Sequence, residues 1–421
     1  MARAFLYHIF DDDDLFKNAA PLAAMTVKVI EPDGSTKKDR QMYSLKRDMA
    51  ELRRIGATKF CLGTPIVDPQ VQVGVTDGGK ELLVLKVGVG SHKVLILGCH
   101  HAREWISVEM PYYIAEYLIN TYTDTPSTPK EKRIKHLLMN RQIWFVPMVN
   151  PDGHIVTVTS NRDWRQNNAS HSVPAGSVVR PTGTVSWPAG TYTGVDINRN
   201  YDTKAVATHN GAGTFLAWGV ETFLGTSVRT SRDPRDSAVA SQVWCGPDKG
   251  SEKETAAIQK LINDNGFRST ISFHSFGQQW LWPGPLLTGS DDPYTDWVGN
   301  GTVTAMGTAG IKYKFTGGPD PYPTSGDMID FVFQTVAGWR PAYTPEVRPS
   351  DADSAHGFSL LLENQIEPCF KENLAATLAV INCAGHDAES TNVSVTTTTG
   401  DPPQRCQFVR KCWEVFKGWT P

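Results

Sequence analysis

No apolar run in this chain reaches the roughly 18 residues that a membrane-spanning helix needs, so no span is expected. There is no concentrated block of lysine or arginine either. Against 44 acidic side chains stand 41 basic ones, for a formal charge of −3, and phosphate backbones are held by basic surfaces, so nucleic acid is excluded as the main partner. The seven cysteines (Cys61, Cys99, Cys245, Cys369, Cys383, Cys406 and Cys412) are odd in number, scattered and without a CxxC pair. That is the pattern of reduced thiols, with Cys406 and Cys412 the pair expected to join in an exported protein. The N-terminus lacks the positive charge of a secretory signal, because Asp11 to Asp14 interrupt it ahead of a short apolar patch. A cytoplasmic protein is therefore the default expectation, and a secreted one if the N-terminus is incomplete. Sequons at Asn168, Asn300 and Asn392 matter only in the second case. Internal repeats and the HExxH motif of zinc endopeptidases are also missing. The Gly-rich GVGSHK at 88 to 93 precedes a strand and lacks Gly-Lys-Ser/Thr, which excludes a phosphate loop. What remains, at 40% apolar residues over 421 positions, is a chain that can bury a large core and act on a small molecule or peptide, as a monomer and away from membranes.

Periodicity orders the chain coarsely. VKVIEPDGS (27 to 35) reads as a strand entering a turn, and SLKRDMAELRRIG (44 to 56) as a helix with a glycine stop. KELLVLKVG (80 to 88) and HKVLILGCH (92 to 100) read as two adjacent strands joined by a glycine turn. EWISVEMPYYIAEYLINTY (104 to 122) has helical spacing, with Pro111 as a blemish. RQIWFVPMVNPDG (141 to 153) reads as a buried strand closed by a turn, and 166 to 194 as a long Gly/Ser/Thr/Pro-rich segment. A helix (253 to 266), a strand (269 to 275) and a closing helix (372 to 385) follow. Strands alternating with helices predict an α/β fold: a mixed, mostly parallel sheet with helices on both faces. Residues 387–421 read as a linker with a small tail.

The chemistry concentrates in GCHHAREW at 98 to 105. His101 and Glu104, three apart, can face a shared point from one turn at a strand's end. Imidazole and carboxylate are ordinary zinc ligands, and a catalytic zinc takes three protein donors while keeping one position open. An HxxE pair alone is common by chance. The third donor should be a distant histidine at another strand's end, which His274 in STISFHS supplies.

At this point the chain resembles the zinc carboxypeptidases of the carboxypeptidase A type. HAREW at 101 to 105 matches their first ligand motif. NPDG (150 to 153), NRDWR (161 to 165), VDINRN (195 to 200), SFHSFGQ (272 to 278), PYPTSGDMIDF (321 to 331) and YTPEVRP (343 to 349) then recur in the family's order. The resemblance covers roughly 68–386, which implies a catalytic domain there after an N-terminal segment of uncertain role (1–67), and it implies one zinc per chain on His101, Glu104 and His274, with Asp196 accepting the other ring N–H of His101. It implies Glu346 as general base and Arg165 as oxyanion stabiliser. Asn198 and Arg199 become the clamp for a free C-terminal carboxylate, Tyr322 the mobile tyrosine, and Arg103 a contact further along the substrate. His100 and Cys99 keep the plainer reading of strand-end packing residues; as chain neighbours they point to opposite faces. Taken singly, Arg165, Arg199 and Glu346 would read as solvated surface charges.

The implied activity is hydrolysis of the last peptide bond of peptides and proteins. Ile329 stands where the family sets its preference, so hydrophobic or aromatic C-terminal residues are expected, while Asp327, two residues earlier, admits lysine or arginine as second choice. The family's inhibitory prodomain is not recognisable in 1–67, which implies no activation step. Long intervals between Arg165 and Asp196 and between Arg199 and His274 imply insertions around the cleft. Two rivals share the scaffold. A zinc deacylase or amidohydrolase of N-acyl amino acids would not need the Asn-Arg clamp or the tyrosine loop, and a non-catalytic binder of peptide C-termini would have lost a ligand or the base.

Overall fold

The computed structural model of the chain describes residues 40–207, 214–237, 242–283, 313–317, 323–335, 342–350, 358 and 366–384. The expected strand at 27–35, the linker and tail beyond 387, Cys406, Cys412, Asn300, Asn392 and Tyr322 lie outside them. Seven strands form the central sheet: β1 (Leu85–Val87), β2 (His92–Gly98), β3 (Arg141–Val146), β4 (Ser269–Gly277), β5 (Gln279–Trp282), β6 (Lys314–Gly317) and β7 (Ala342–Ser350). Their spatial order is β6-β5-β7-β4-β2-β3-β1. Pairs β2–β3, β2–β4, β4–β7 and β5–β6 run parallel, while β1–β3 and β5–β7 run antiparallel. The sheet is thus mixed and mostly parallel, as its sequence predicts.

Side-chain alternation explains why both faces are covered. On β2, Val94 and Ile96 join one core while Leu95 and Leu97 join the other; on β3, Ile143 and Phe145 oppose Trp144 and Val146 in the same way. The first core is closed by α1 (Arg40–Gly56), α2 (Ile106–Thr121), α3 (Pro129–Asn140) and α7 (Ile366–Cys383). The second is closed by α5 (Lys253–Asn265) and α6 (Met328–Thr335), with α4 (Pro151–Thr159) following β3. Strands buried on both faces read as continuous apolar runs, as VLIL at 94 to 97 does. Among the described residues no helix is long and apolar enough to cross a membrane.

Three local expectations are corrected. The runs at 80–88 and 92–100 are not neighbours, because β3 is inserted between β1 and β2. The glycine turn that joins them wraps the start of β3: Gly90 N donates to Arg141 O at 3.2 Å, and a Cβ at Gly88 would lie 2.2 Å from that oxygen. The first run is itself split, into Glu81–Leu83 and β1. Asn-Pro-Asp-Gly does not merely turn; it starts α4, with Asn150 Oδ1 accepting from Gly153 N at 3.0 Å and Pro151 in the first helical position. Finally, 166–194 is not irregular throughout. It holds two stacked antiparallel ladders, Ser170–Val173 with Gly190–Thr193 and Gly176–Arg180 with Gly183–Trp187.

Candidate active site

Because β3, β2, β4 and β7 run parallel, their C-terminal ends share one edge, where open α/β sheets place ligands. At the end of β2 the chain turns sharply at Cys99, whose φ of 54° lies in the left-handed region that non-glycine residues avoid. Cys99 packs into the α2-side core with burial pushing its thiol far up, while His100 turns to the opposite side. A turn then carries His101 and Glu104 into α2, with Glu104 N donating to His101 O at 3.2 Å. Pro111 cannot donate to the carbonyl of Ser107, four residues back. That oxygen faces Gly98, where a Cβ would come within 2.2 Å, so α2 sits close on the strand end.

Three buried side chains converge there. Glu104 Oε1 lies 2.7 Å from His101 Nδ1, Glu104 Oε2 lies 2.9 Å from His274 Nδ1, and the two Nδ1 atoms are 3.1 Å apart. No other group of His, Cys, Asp and Glu among the described residues converges comparably. Burial alone would push the Glu104 carboxyl up, but the charges of His101 and His274 outweigh it and hold it far below the carboxylate range. Burial lowers His274, opposing that charge. Two ring nitrogens and a carboxylate pointed at each other are reconciled by a shared cation. Tetrahedral donors about 2.0–2.2 Å from zinc stand about 3.3–3.5 Å apart, so a modest expansion of the triad admits the ion.

The remaining groups surround this point. His101 Nε2 lies 3.2 Å from Asp196 Oδ1, at ion-pair distance though short of hydrogen-bond geometry. Arg165 Nε donates to Asp196 Oδ2 at 2.9 Å. Burial opposes ionisation of Asp196, yet Arg165, His101 and Arg199 hold its carboxyl well below the usual range. The backbone fixes Arg165 beside the triad, since its carbonyl accepts from Ala102 N at 2.8 Å and its N–H donates to Gln242 Oε1 at 2.7 Å. Asp196 then caps a short 3-10 turn, Ile197–Arg199, accepting from Asn198 N at 3.0 Å.

Arg199 is 3% exposed, so it is not a solvated surface charge. Its Nε donates to Arg229 O at 2.8 Å and its Nη1 to Asn198 O at 2.6 Å, and among the described residues it forms no ion pair. A buried guanidinium without a carboxylate is an anion site in waiting. Asn198 Oδ1 accepts from Met328 N at 3.0 Å, which leaves its amide N–H groups for a ligand. Glu346 stands in register with His274 on the neighbouring parallel strand, half-buried, and residues so paired project to the same face. Arg103 lies over the Phe358 ring at 4.2 Å, its pKa lowered to about 10 by burial and then by the charge of Arg165.

Some expected residues behave differently in detail. Asp327 is committed locally, with Oδ2 accepting from Thr324 Oγ1 at 2.6 Å and Oδ1 from Asp330 N at 2.9 Å at the head of α6. Ile329 packs its half-buried side chain against the second core. His100 is satisfied structure: its ring nitrogens meet Ser272 Oγ and Tyr201 Oη, each at 2.9 Å. Gln242, which holds Arg165, carries no motif and could not be found by reading the chain. Asp330 sits inside a quoted motif, yet only the structure reveals that burial and then Asp327 push its carboxyl well above the normal range.

Comparison with known proteins agrees with this geometry. Human carboxypeptidase B is 27% identical over 313 residues, covering 72% of this chain and 62% of that protein. Rat mast cell carboxypeptidase A is 26% identical over 319 residues, 74% of this chain and 65% of that protein. The chain thus spans less than two thirds of the length of these relatives. Among solved structures, carboxypeptidase A from Helicoverpa armigera superposes with a TM-score of 0.61 at 21% identity, covering 88% of this chain and 80% of the other, which speaks for the fold. Bovine thrombin-activatable fibrinolysis inhibitor, solved with a tick carboxypeptidase inhibitor, gives 0.61 at 22% identity over 82% and 96%. Residues 65–376 match Peptidase_M14, zinc carboxypeptidase, and this chain, in which His101, Glu104 and His274 converge closely enough to hold a metal ion, belongs to that family.

Proposed function

We propose that this protein is a zinc-dependent exopeptidase that removes single residues from the C-termini of peptides and proteins, with one zinc per chain held by His101, Glu104 and His274. The observation that carries this reading is the pairing of that buried triad with Arg199, a buried cation lacking an ion-pair partner among the described residues. Zinc bound there would polarise the scissile carbonyl as a Lewis acid. Arg199, with the Asn198 amide, receives the terminal carboxylate bidentately and so sets which bond lies over the triad. Glu346 takes the proton of the attacking water and delivers it to the leaving amine. Arg165, held by Asp196, faces the oxygen on which negative charge develops. Asp196 keeps His101 in the tautomer whose Nδ1 faces the triad. Arg103 with Phe358 offers a cationic and aromatic surface to residues further from the end.

Preference for hydrophobic or aromatic C-terminal residues is read from Ile329, while Asp327, whose Oδ1 caps α6 and whose Oδ2 accepts from Thr324 Oγ1, is already engaged and so is the weaker partner for lysine or arginine. The test uses peptides identical but for a free or amidated terminus. Cleavage of the free form alone is expected, and Glu346→Gln should retain zinc by metal analysis while losing about a hundredfold or more in turnover. Equal cleavage of amidated peptide, or undiminished turnover in the variant, contradicts the respective assignment.

A further inference from the structure

The ladder formed by Gly176–Arg180 and Gly183–Trp187 lies in the long interval between Arg165 and Asp196, and none of the roles above uses it. Its last residue, Arg180, reaches back into the body of the protein. Nε donates to Glu221 Oε2 at 2.9 Å, while Nη2 donates to Glu221 Oε1 at 3.0 Å and to Ser231 Oγ at 2.9 Å, with Asp236 Oδ2 at 3.6 Å. Glu221 is buried, and it also accepts from the backbone N–H of Arg232 through Oε1 and from that of Val228 through its carbonyl at 2.8 Å. Glu221 thus closes the segment 221–232 into a loop through its own bonds to Val228 and Arg232, and the Arg180 fork adds a tie from the Glu221 carboxylate to Ser231.

The middle of that loop holds the clamp. Arg229 O accepts from Arg199 Nε at 2.8 Å, and Arg229 N donates to Pro323 O at 2.8 Å. Thr230 Oγ1 accepts from Ser325 N at 3.0 Å and donates to Ser325 O at 3.2 Å, while Ser325 Oγ donates to Val220 O at 3.0 Å. Arg199 and the turn leading into α6 are thus both set by a short stretch of backbone whose ends are tied by Glu221, with Arg180 holding the Glu221 carboxylate and Ser231 together. Arg180 touches neither the triad nor Arg199.

We propose that Arg180 is a positioning residue for recognition of the substrate carboxylate, acting through Glu221 and the 228–232 backbone on Arg199. The inference rests on the carboxylate-reading role assigned above to Arg199. Loss of the fork leaves the Glu221 carboxylate without its cation and removes one tie on Ser231, which loosens the 228–232 backbone and the Arg229 carbonyl with it, and displacements of about 1 Å at a substrate-holding group lower efficiency by up to about a hundredfold. The loss falls mainly in KM, because Arg229 O contacts Arg199 directly, whereas Ser231 reaches Asp196 only through the paired backbone of 243–245.

The test compares zinc-loaded wild type with Arg180→Met, Arg180→Lys and the double variant Arg180→Met/Glu221→Gln, which leaves no buried carboxylate without its cation and so does not depend on the single variant folding. KM and kcat are measured on a free-carboxylate peptide, and binding of phenylalanine against phenylalanine amide by calorimetry. Arg180→Met and the double variant should raise KM about tenfold to a hundredfold with kcat within about twofold. The wild-type preference for the acid over the amide should shrink by a similar factor, and Arg180→Lys should recover part of both. Unchanged KM and acid preference in a folded double variant overturn the proposal and leave the role of Arg199 standing. A wild type that does not distinguish acid from amide overturns both.

Discussion

At the scale of single residues, burial decides which charges matter. Arg165 and Arg199 would pass for surface cations in any linear reading, yet they are 4% and 3% exposed, the first paired with Asp196 and the second held by the carbonyls of Arg229 and Asn198. Glu254, in the first turn of α5, is a contrary case that no motif marks. It is 1% exposed, its Oε2 has no hydrogen-bond partner among the described residues, and burial, with Glu252 and Asp152 adding to it, raises its pKa to about 8. The folded chain therefore holds a proton there that the unfolded chain, with a normal carboxyl near 4.5, releases. The stability from this proton is complete below about pH 4.5 and is lost as the pH rises through about 8. Glu254→Gln should accordingly melt at a temperature that gains on wild type as the pH is raised from 5 to 9, and thermal scans across that range check it. A melting difference that is flat with pH would mean that Glu254 titrates normally.

At the scale of elements, the site depends on how closely α2 approaches β2. Gly98 permits that approach: an added Cβ would meet Ser107 O at 2.2 Å and Pro147 O at 2.8 Å, both of them backbone atoms that cannot swing aside. Gly98→Ala should lower stability by about 1–3 kcal/mol, as overpacking does. It should also weaken zinc retention, because Glu104 stands in the turn just ahead of α2, where its carbonyl accepts from Ser107 N, and a displaced Ser107 would carry it away from His274. Chelator competition reads the second effect, and retention equal to wild type would uncouple the helix from the triad. The helices were legible as elements, since SLKRDMAELRRIG and KETAAIQKLINDNG carry apolar periodicity and a glycine stop, and Gly266 ends α5 at φ 58°. Strand neighbours were not legible. The insertion of β3 between β1 and β2 depends on which strand edges remain unpaired after the crossover, and no residue of 80–100 records that.

At the scale of the whole molecule, the triad draws on two remote stretches, since His101 and His274 are 173 positions apart. An ion bound only by the folded chain stabilises it by about 2.7 kcal/mol at a hundred times its dissociation constant. Removing zinc should therefore lower the melting temperature by several degrees, restoring it should reverse the loss, and His274→Ala should abolish the response; scanning calorimetry with and without the metal measures all three. The motifs HAREW, VDINRN, SFHSFGQ and YTPEVRP by themselves determined which side chains are present and their order along the chain, because ligand chemistry and local turns are written within a few residues. Only the tertiary structure decided that Arg199 lacks an ion-pair partner among the described residues while Arg165 does not, that Asp327 caps α6 and accepts from Thr324, that Gln242 holds Arg165 from a distant loop, and that Arg180 pairs with Glu221. The physical reason is that desolvation and pairing belong to spatial neighbourhoods, and parallel strands joined by long crossovers assemble those neighbourhoods from segments that share no local sequence pattern.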